Sequence, residues 1–369
     1  MIDAKDMEIL LTIQDNPLAT LSDIASQINL SISNTSARLT RLEEIEKAFF
    51  GVKVGLNLSA LELETNNFLI KLNSKKSLKL FENKFSYYHP YLMYRGRCNG
   101  KFPGLYLQFR TPKEGLNYLE ELFGILLSKG ILEDFEYIQK QPNEAQVRIN
   151  SSLRGWDPKK QRWIFDWKTW KDNFENTSAK SIPEKSGSES ILEQLSEMDI
   201  KLLSELTLDA RRKNVDMMKN RGVENNPGVA QKVSRRIKFL KEKAISDYRI
   251  YLNWSIFDLY QTILIKGQCH NNASLKLRNY LTESKSSIPF QNIYFITDYG
   301  FLWYIRAPPS HLSELMDFIW DVCPGHELFL IDYKFTRVYG LWDQTFNAEK
   351  KKWKLNYEFM IDNVVKKIL

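Results

Sequence analysis

The chain has 369 residues, of which 43% are hydrophobic and 26% charged, a composition typical of two or three globular domains. No apolar run approaches the roughly 20 residues of a membrane span, the acidic N-terminal stretch is unlike a signal peptide, and three scattered cysteines provide no disulfide framework. We therefore expect a cytoplasmic protein with no membrane partner. The net charge is +7, and residues 209–243 alone carry an excess of seven positive charges, which attracts a polyanion.

Three short helices are predicted at the N-terminal end. Asp3–Ile13 has apolar residues at helical spacing, and Thr20 caps a second helix with Asp23 as a capping-box partner. A third helix follows a tight turn and ends near Glu44, which is helix-turn-helix spacing. Polar and basic residues on this third helix are candidates for contacts with DNA: Ser31, Ser33, Asn34, Thr35, Arg38 and Arg41.

This region resembles the Lrp/AsnC-type transcription regulators. The resemblance is carried by DMEILLTIQDN at 6–16, LSDIASQINLSISNTSARLTRLEE at 21–44 and GVKVGLNLSALEL at 51–63, whereas Ile45–Ala48 departs from the family's Gly-Val/Ile wing. The resemblance implies double-stranded DNA as partner and a small, amino-acid-like effector held between paired ferredoxin-like domains. The corresponding turns are Arg95–Gly104 and Thr297–Gly300, for which a plain structural turn is the favoured interpretation. The effector-binding residues stay unknown.

The next segment alternates strands and helices in the order β-α-β-β-α-β. Strands are predicted at 64–72, 90–98, 104–110 and 131–139, and a helix at 74–88. Thr111–Glu114 has the form of a capping box and opens a second helix that ends near Lys129. This order is ferredoxin-like, and it is also the effector and dimerisation domain that the resemblance implies.

A tryptophan-rich segment and a polar linker come next. Arg154–Trp170 holds four of the nine tryptophans and predicts a β-hairpin, with packing favoured over base stacking. Thr177–Ser190 is rich in Ser and is the best linker candidate. After it the whole pattern repeats with a period of about 190 residues.

The predicted fold class is therefore α+β: two winged helix-turn-helix domains, each followed by a ferredoxin-like βαββαβ domain and a Trp-containing β-hairpin, arranged as an internal duplication. One chain thus forms an intramolecular pseudo-dimer, and further homo-oligomers are possible. The predicted domains are winged helix 1 at 1–58, ferredoxin-like domain 1 at 59–141, the Trp-rich hairpin at 142–176, the linker at 177–190, winged helix 2 at 191–254, ferredoxin-like domain 2 at 255–336, and the second hairpin with a C-terminal helix at 337–369.

The second copy contains the most basic helix of the chain, Asn226–Lys243, with Pro227 at its first helical position. Its apolar stripe is Val229, Val233, Ile237 and Leu240. We expect phosphate contacts from Lys232, Arg236 and Lys241, and base contacts from Gln231, Arg235 and Lys238. An ordinary solvated face is the alternative.

The two copies differ in charge. Residues 1–48 carry a net charge of −4, so we expect winged helix 2 to supply most of the DNA affinity. Winged helix 1 either reads a half-site or contacts protein.

Motifs for catalysis and metal binding are weak. Cys323 and His326 have the spacing of half a zinc site, but the adjacent Cys269 and His270 are a poor second half. We find no nucleophile-elbow, Walker or dinucleotide-binding motif. We therefore expect no metal, no cofactor and no enzymatic activity.

Two alternatives to a regulator stay open. Siroheme decarboxylases share this helix-turn-helix plus ferredoxin-like architecture without being regulators, although their His- and Arg-rich active-site segments have no convincing counterpart at 94–104 or 296–305. A protein-binding adaptor, whose winged helices do not bind DNA, is the other.

Overall fold

The computed structural model describes residues 2–141, 146–180, 187–222, 227–283 and 288–368. Within these ranges the chain passes twice through the same series of elements, and this confirms the predicted duplication. None of the helices described is long and apolar enough to cross a membrane.

The first three helices form the predicted helix-turn-helix. Asp3 caps α1, and Thr20 caps α2 through a capping box in which the Asp23 carboxylate accepts a hydrogen bond from the Thr20 backbone N–H. Ser31 accepts a hydrogen bond from the Asn34 backbone at the start of the third helix, which ends in a π-helical turn. The elements are α1 Ala4–Asp15, α2 Leu21–Gln27, α3 Ile32–Thr40 and the π turn Arg41–Ile45.

The first ferredoxin-like unit follows a strand of the wing. Its predicted elements are present, but the predicted capping box at Thr111–Glu114 is wrong. Thr111 is the last residue of a strand, and its Oγ1 accepts a hydrogen bond from Asn66 Nδ2 at 3.0 Å instead of capping a helix. The elements are β1 Phe49–Leu56, β2 Glu64–Lys71, α4 Lys75–Leu80 with the π turn Phe81–Phe85, α5 Ser86–Tyr88, β3 Leu92–Gly100, β4 Gly104–Thr111, α6 Gly115–Ser128 and β5 Asp134–Ile138.

The Trp-containing hairpins are packing elements. Trp163 in the first hairpin donates its indole N–H to the Phe257 carbonyl, and Trp353 in the second donates to the Leu61 carbonyl, so each hairpin docks on the other half of the chain. Both tryptophans are buried. After β5, the first copy ends with β6 Val147–Ile149, β7 Trp156–Asp157, β8 Arg162–Trp163 and α7 Trp167–Glu175.

The second copy repeats this order. Its third helix begins at Pro227 as predicted, while Asn226 lies outside the described residues. The elements are α8 Glu197–Leu208, α9 Asn214–Asn220, α10 Pro227–Lys243, β9 Ile245–Leu252, β10 Gln261–Gln268, α11 Asn271–Thr282, β11 Asn292–Thr297, β12 Gly300–Arg306, α12 Leu312–Val322, β13 His326–Asp332, β14 Arg337–Val338, β15 Phe346–Asn347, β16 Lys352–Trp353, the π turn Glu358–Asp362 and α13 Asn363–Ile368.

The two ferredoxin-like units share one antiparallel sheet. Its strand order is β5-β2-β4-β3-β13-β10-β12-β11-β6, so each unit contributes four strands in the ferredoxin-like order. The units join where β3 pairs with β13. On the other side of the second unit, β6 of the first copy pairs with β11, and Lys140 forms an isolated bridge with Thr297. Tyr94 and Tyr304 meet between the units with their hydroxyls 3.3 Å apart. The sheet therefore has a pseudo-twofold arrangement with its own buried layer.

The wing strands of the two copies pair with each other. Strands β1 and β9 form a two-stranded antiparallel ribbon, which we call the wing ribbon. The first copy's strand also packs on the second helix-turn-helix, because the Ala210 backbone N–H donates to the Val52 carbonyl at 2.7 Å. The third helix of each helix-turn-helix therefore leads directly into the wing ribbon, to which both copies contribute a strand.

Candidate functional site

One face of α10 is open to solvent. Gln231, Lys232, Arg235 and Lys238 are exposed, whereas the Val233, Ile237 and Leu240 side chains are buried against the domain core. Lys238 has 79% of its side chain exposed, and the carboxylate nearest to it is that of Glu242, 4.0 Å away on the same helix. The exposed face can therefore approach a polyanion without rearrangement of the core.

Arg236 on the same helix has structural partners. Its guanidinium pairs with the fully buried carboxylate of Asp199, with Nε 2.7 Å from Oδ1, and stacks over the Phe239 ring. Lys241 is half-buried, and burial lowers the pKa of its amine. These two side chains are held within the domain more than the exposed four are.

The first copy uses its arginines in the same way. Arg38 pairs with Asp3 at 2.8 Å and Asp6 at 2.9 Å, and Arg41 also pairs with Asp6. The hydrogen bond that Arg38 donates to Asp3, followed by the one that it donates to Asp6, raises the pKa of Arg38, and the hydrogen bond that Arg41 donates to Asp6 raises the pKa of Arg41. Of the other candidates, Thr35 is buried with its hydroxyl donating to the Ser31 carbonyl, while Ser31, Ser33 and Asn34 are exposed.

The ion pair between an arginine of the third helix and an aspartate of the first helix, present in both copies, could have been predicted from the sequence. Arg38 and Arg236 occupy aligned positions in the two copies, and Asp6 and Asp199 are both the third residue of the first helix. An arginine repeated opposite a repeated capping-box acid indicates a structural ion pair, and our assignment of Arg236 to phosphate contacts overlooked it.

A second group of basic side chains combines residues of the wing ribbon with residues of two strands of the shared sheet. Lys53 of β1 and Arg249 of β9 are direct cross-strand partners. Arg110 at the end of β4 and Arg148 of β6 are their electrostatic neighbours. We call Lys53, Arg110, Arg148 and Arg249 the arginine cluster; Arg148 is exposed and the other three are half-buried.

The cluster has little compensating charge. Asp247 lies 2.7 Å from the Arg249 Nε, but within the described part of the chain no carboxylate forms a salt bridge with Arg110 or Arg148. Burial, and then the neighbouring Arg148 and Arg249, lower the pKa of Arg110 to about 10. The Arg110 guanidinium therefore still carries its charge at neutral pH. Sequence analysis missed the cluster, because its members are dispersed over almost two hundred residues and share no motif.

The turns proposed for an effector are tightly packed. Gly300 has φ +143°, and a Cβ there would lie 2.4 Å from the Gly267 carbonyl oxygen. In the first copy, Arg95 and Arg97 both bind Glu82 at 2.6 Å. These contacts favour structural turns at both positions.

His311 and His326 make hydrogen bonds within the fold. The His311 Nδ1 accepts a hydrogen bond from the Trp167 indole at 2.9 Å, and the His326 ring bonds the Cys323 carbonyl oxygen rather than approaching its thiol. Across the residues that the structure describes, no three His, Cys, Asp or Glu side chains are placed to hold a metal ion.

The N-terminal helices belong to a known class of domain. Residues 2–46 match a family model described as winged helix-turn-helix DNA-binding. A search of curated proteins finds no match.

Two solved structures that match most of this chain are structures of one enzyme. The siroheme decarboxylase NirDL has a TM-score of 0.52 at 11% identity, with 88% of this chain and 90% of that chain covered. The same enzyme in co-complex with an iron-uroporphyrin III analogue has a TM-score of 0.52 at 12% identity, covering 89% and 90%. An AsnC family transcriptional regulator from Agrobacterium tumefaciens has a TM-score of 0.30 at 19% identity and covers 38% of this chain and 91% of its own.

The comparison corrects one expectation. We predicted that the chain is not an enzyme. The structural similarity to a decarboxylase over nearly the whole chain contradicts this prediction. The tandem architecture therefore gives no ground for excluding catalysis.

Proposed function

We propose that the protein is a DNA-binding transcription regulator of Lrp/AsnC type, and that winged helix 2 supplies most of its affinity for double-stranded DNA. The observation that carries this proposal is the exposed cationic face of α10, formed by Gln231, Lys232, Arg235 and Lys238. Basic side chains of this kind neutralise phosphates, and Gln, Arg and Lys can pair with base edges in the major groove. The family-model match to a DNA-binding winged helix supports the same function for the first copy.

The asymmetry between the copies has a structural basis. In the first copy, Arg38 of α3 pairs with Asp3 and Asp6, and Arg41 of the following π turn pairs with Asp6. Ser33 and Asn34 are exposed polar groups of the same helix. In α10 Arg235 and Lys238 are exposed beyond the pair made by Arg236. Helix α10 therefore presents more uncompensated positive charge to a DNA duplex than α3 does.

A charge-reversal experiment tests this proposal. The double variant Arg235→Glu with Lys238→Glu should lose at least about 100-fold in affinity for duplex DNA, because it replaces two attractive charges with two repulsive ones. Binding sites from genomic footprinting of the tagged protein supply the duplex, and fluorescence anisotropy at several salt concentrations gives the affinity.

The matched control changes the same net charge elsewhere. Lys75→Glu with Lys76→Glu alters two exposed lysines in the first turn of α4. The affinity of this variant for duplex DNA should stay within about threefold of the wild-type value, because salt screens the interaction between DNA and charges far from α10. Equal losses in both double variants, or wild-type binding that does not weaken with salt, contradict the proposal.

A second function is favoured by the whole-chain similarity to NirDL. A decarboxylase of carboxylate-bearing tetrapyrroles would use the same tandem architecture, and the basic arginine cluster supplies charge of the sign that carboxylates require. Anaerobic incubation of the protein with siroheme, followed by mass spectrometry of the tetrapyrrole, tests this function. Loss of carbon dioxide from the tetrapyrrole supports it; an unchanged mass together with an unchanged absorption spectrum rejects it.

A further inference from the structure

Repulsion between the positive charges of the arginine cluster destabilises the fold. Lys53 and Arg249 lie directly opposite each other in the wing ribbon, where like charges destabilise a pair of strands. The ring of Tyr251 lies 3.9 Å from the Lys53 amine, which compensates part of this cost through a cation–π contact. The Asp247 carboxylate is one negative charge against four positive ones.

Arg110 is the member of the cluster whose guanidinium is least satisfied. Its Nε is buried and has no hydrogen-bond acceptor among the residues that the structure describes, and one of its terminal nitrogens donates to the thioether sulfur of Met93. Thioether sulfur is a weak acceptor, and an unsatisfied buried donor on a charged group is unfavourable. An oxyanion placed between Arg110 and Arg148 would satisfy both side chains.

The cluster is open to a ligand. Arg148 is exposed on β6, the strand at the edge of the shared sheet, and Lys53, Arg110 and Arg249 each keep part of their surface accessible. The members come from the wing ribbon on one side and from the sheet on the other, so a bound anion would bridge these two layers.

We propose that the arginine cluster binds a small organic anion that carries at least two carboxylate or phosphate groups. Guanidinium groups bind both kinds of oxyanion in a bidentate manner. A single monoanion would leave most of the four positive charges uncompensated, and the ammonium group of a free amino acid would be repelled. The inference concerns the cluster alone and does not depend on DNA binding by α10.

Calorimetry of the full-length protein at constant ionic strength tests the proposal. Citrate and inorganic pyrophosphate are the probes, with acetate and alanine for comparison. At least one of the two polyanions should bind at least about tenfold more tightly than acetate. A comparison of the affinities for citrate and pyrophosphate shows whether the cluster favours carboxylate or phosphate groups. Arg110→Met and Arg148→Met should each weaken that binding by about tenfold.

Two further variants keep this test decisive. Arg148→Lys retains the charge and the exposed position but not the planar fork, and it should bind the polyanion less tightly than the wild-type protein. Arg162→Met removes an exposed arginine from the first hairpin and should change nothing.

The proposal is overturned if neither polyanion binds more tightly than acetate, or if Arg162→Met loses as much affinity as Arg148→Met. It is also overturned if the cluster variants weaken duplex binding in the absence of polyanion while their citrate and pyrophosphate affinities are unchanged, because the cluster would then be a DNA-contacting surface.

Discussion

His89 is held in an apolar environment at the end of α5. Its ring lies 5.4 Å from that of Phe85 and 4.8 Å from that of Phe109, and no residue that the structure describes forms a hydrogen bond with its Nε2. Burial lowers the pKa of His89 from 6.5 to about 3. This imidazole is therefore neutral at physiological pH and serves as a packing group.

The buried imidazole makes the fold sensitive to acid. Between pH 6.5 and about 3 the unfolded chain binds a proton at this position that the folded chain does not, so stability falls as the pH is lowered through this window. Relative to the wild-type protein, His89→Phe should remove up to about 1.4 kcal/mol of this loss per pH unit. Urea unfolding at pH 7, 6 and 5 measures the difference.

The control for this prediction is the exposed His270. The variant His270→Gln removes an imidazole from the surface and should leave the pH dependence of stability as it is in the wild-type protein. Parallel pH profiles for His89→Phe and the wild-type protein would show that His89 becomes protonated in the folded state.

Residue-level chemistry was predictable where it is local. The capping box of Thr20 and Asp23 depends on residues only three positions apart, and it is present. Thr111 satisfies the same local pattern, but Asn66 of the neighbouring strand binds its hydroxyl, so tertiary pairing overrides the local preference. The arginine cluster depends on strand register between distant segments, which no local pattern specifies.

At the scale of one helix, α10 has two adjacent arginines with different surroundings. Arg235 is exposed, whereas Arg236 neutralises the buried Asp199 at the start of α8. Arg236→Ala should destabilise the protein by about 2–3 kcal/mol, because it leaves a buried carboxylate without its counter-charge. Denaturant unfolding measures this loss.

Arg235→Ala is the matched variant for the neighbouring position. Its stability should stay within about 0.5 kcal/mol of the wild-type value, while its affinity for duplex DNA falls. If both variants lower stability equally, Arg235 has a structural partner in solution; if neither does, the Arg236–Asp199 pair contributes little to the fold.

The helices were more predictable than the connections between strands. Amphipathic spacing and end signals indicated α1, α2 and α10 from consecutive residues, and the β-α-β-β-α-β order followed from changes in period. The pairing of β1 with β9 and of β3 with β13 joins strands from different copies, so neither copy alone contains the information. A duplicated sequence indicates that two similar units exist, but not which strand ends meet.

For the whole molecule, the two halves should remain together without a covalent connection. They share the sheet through β3 and β13, the wing ribbon, and the two docked hairpins. A protease site inserted between Lys180 and Gly187, a stretch outside the described residues, allows the chain to be cut after folding. The cut protein should elute from a sizing column as a single species of unchanged size, because the buried contacts between the halves are extensive and apolar.

The control is the same cut protein in a denaturant concentration just above its unfolding midpoint, where two fragments should separate. Separation under native conditions would show that the linker, rather than the shared sheet and ribbon, holds the copies together.

Under the proposed DNA-binding function, the wing ribbon determines how the occupancy of a two-part DNA target depends on the concentration of the protein. In a regulator assembled from separate subunits, dilution dissociates the pair, and occupancy of a two-part target falls with the square of the protein concentration. Here the strand that completes each wing belongs to the same polypeptide, so pairing is intramolecular at any dilution. A target that needs both units should therefore fill as a simple hyperbola, even when a cell holds only a few copies of the chain.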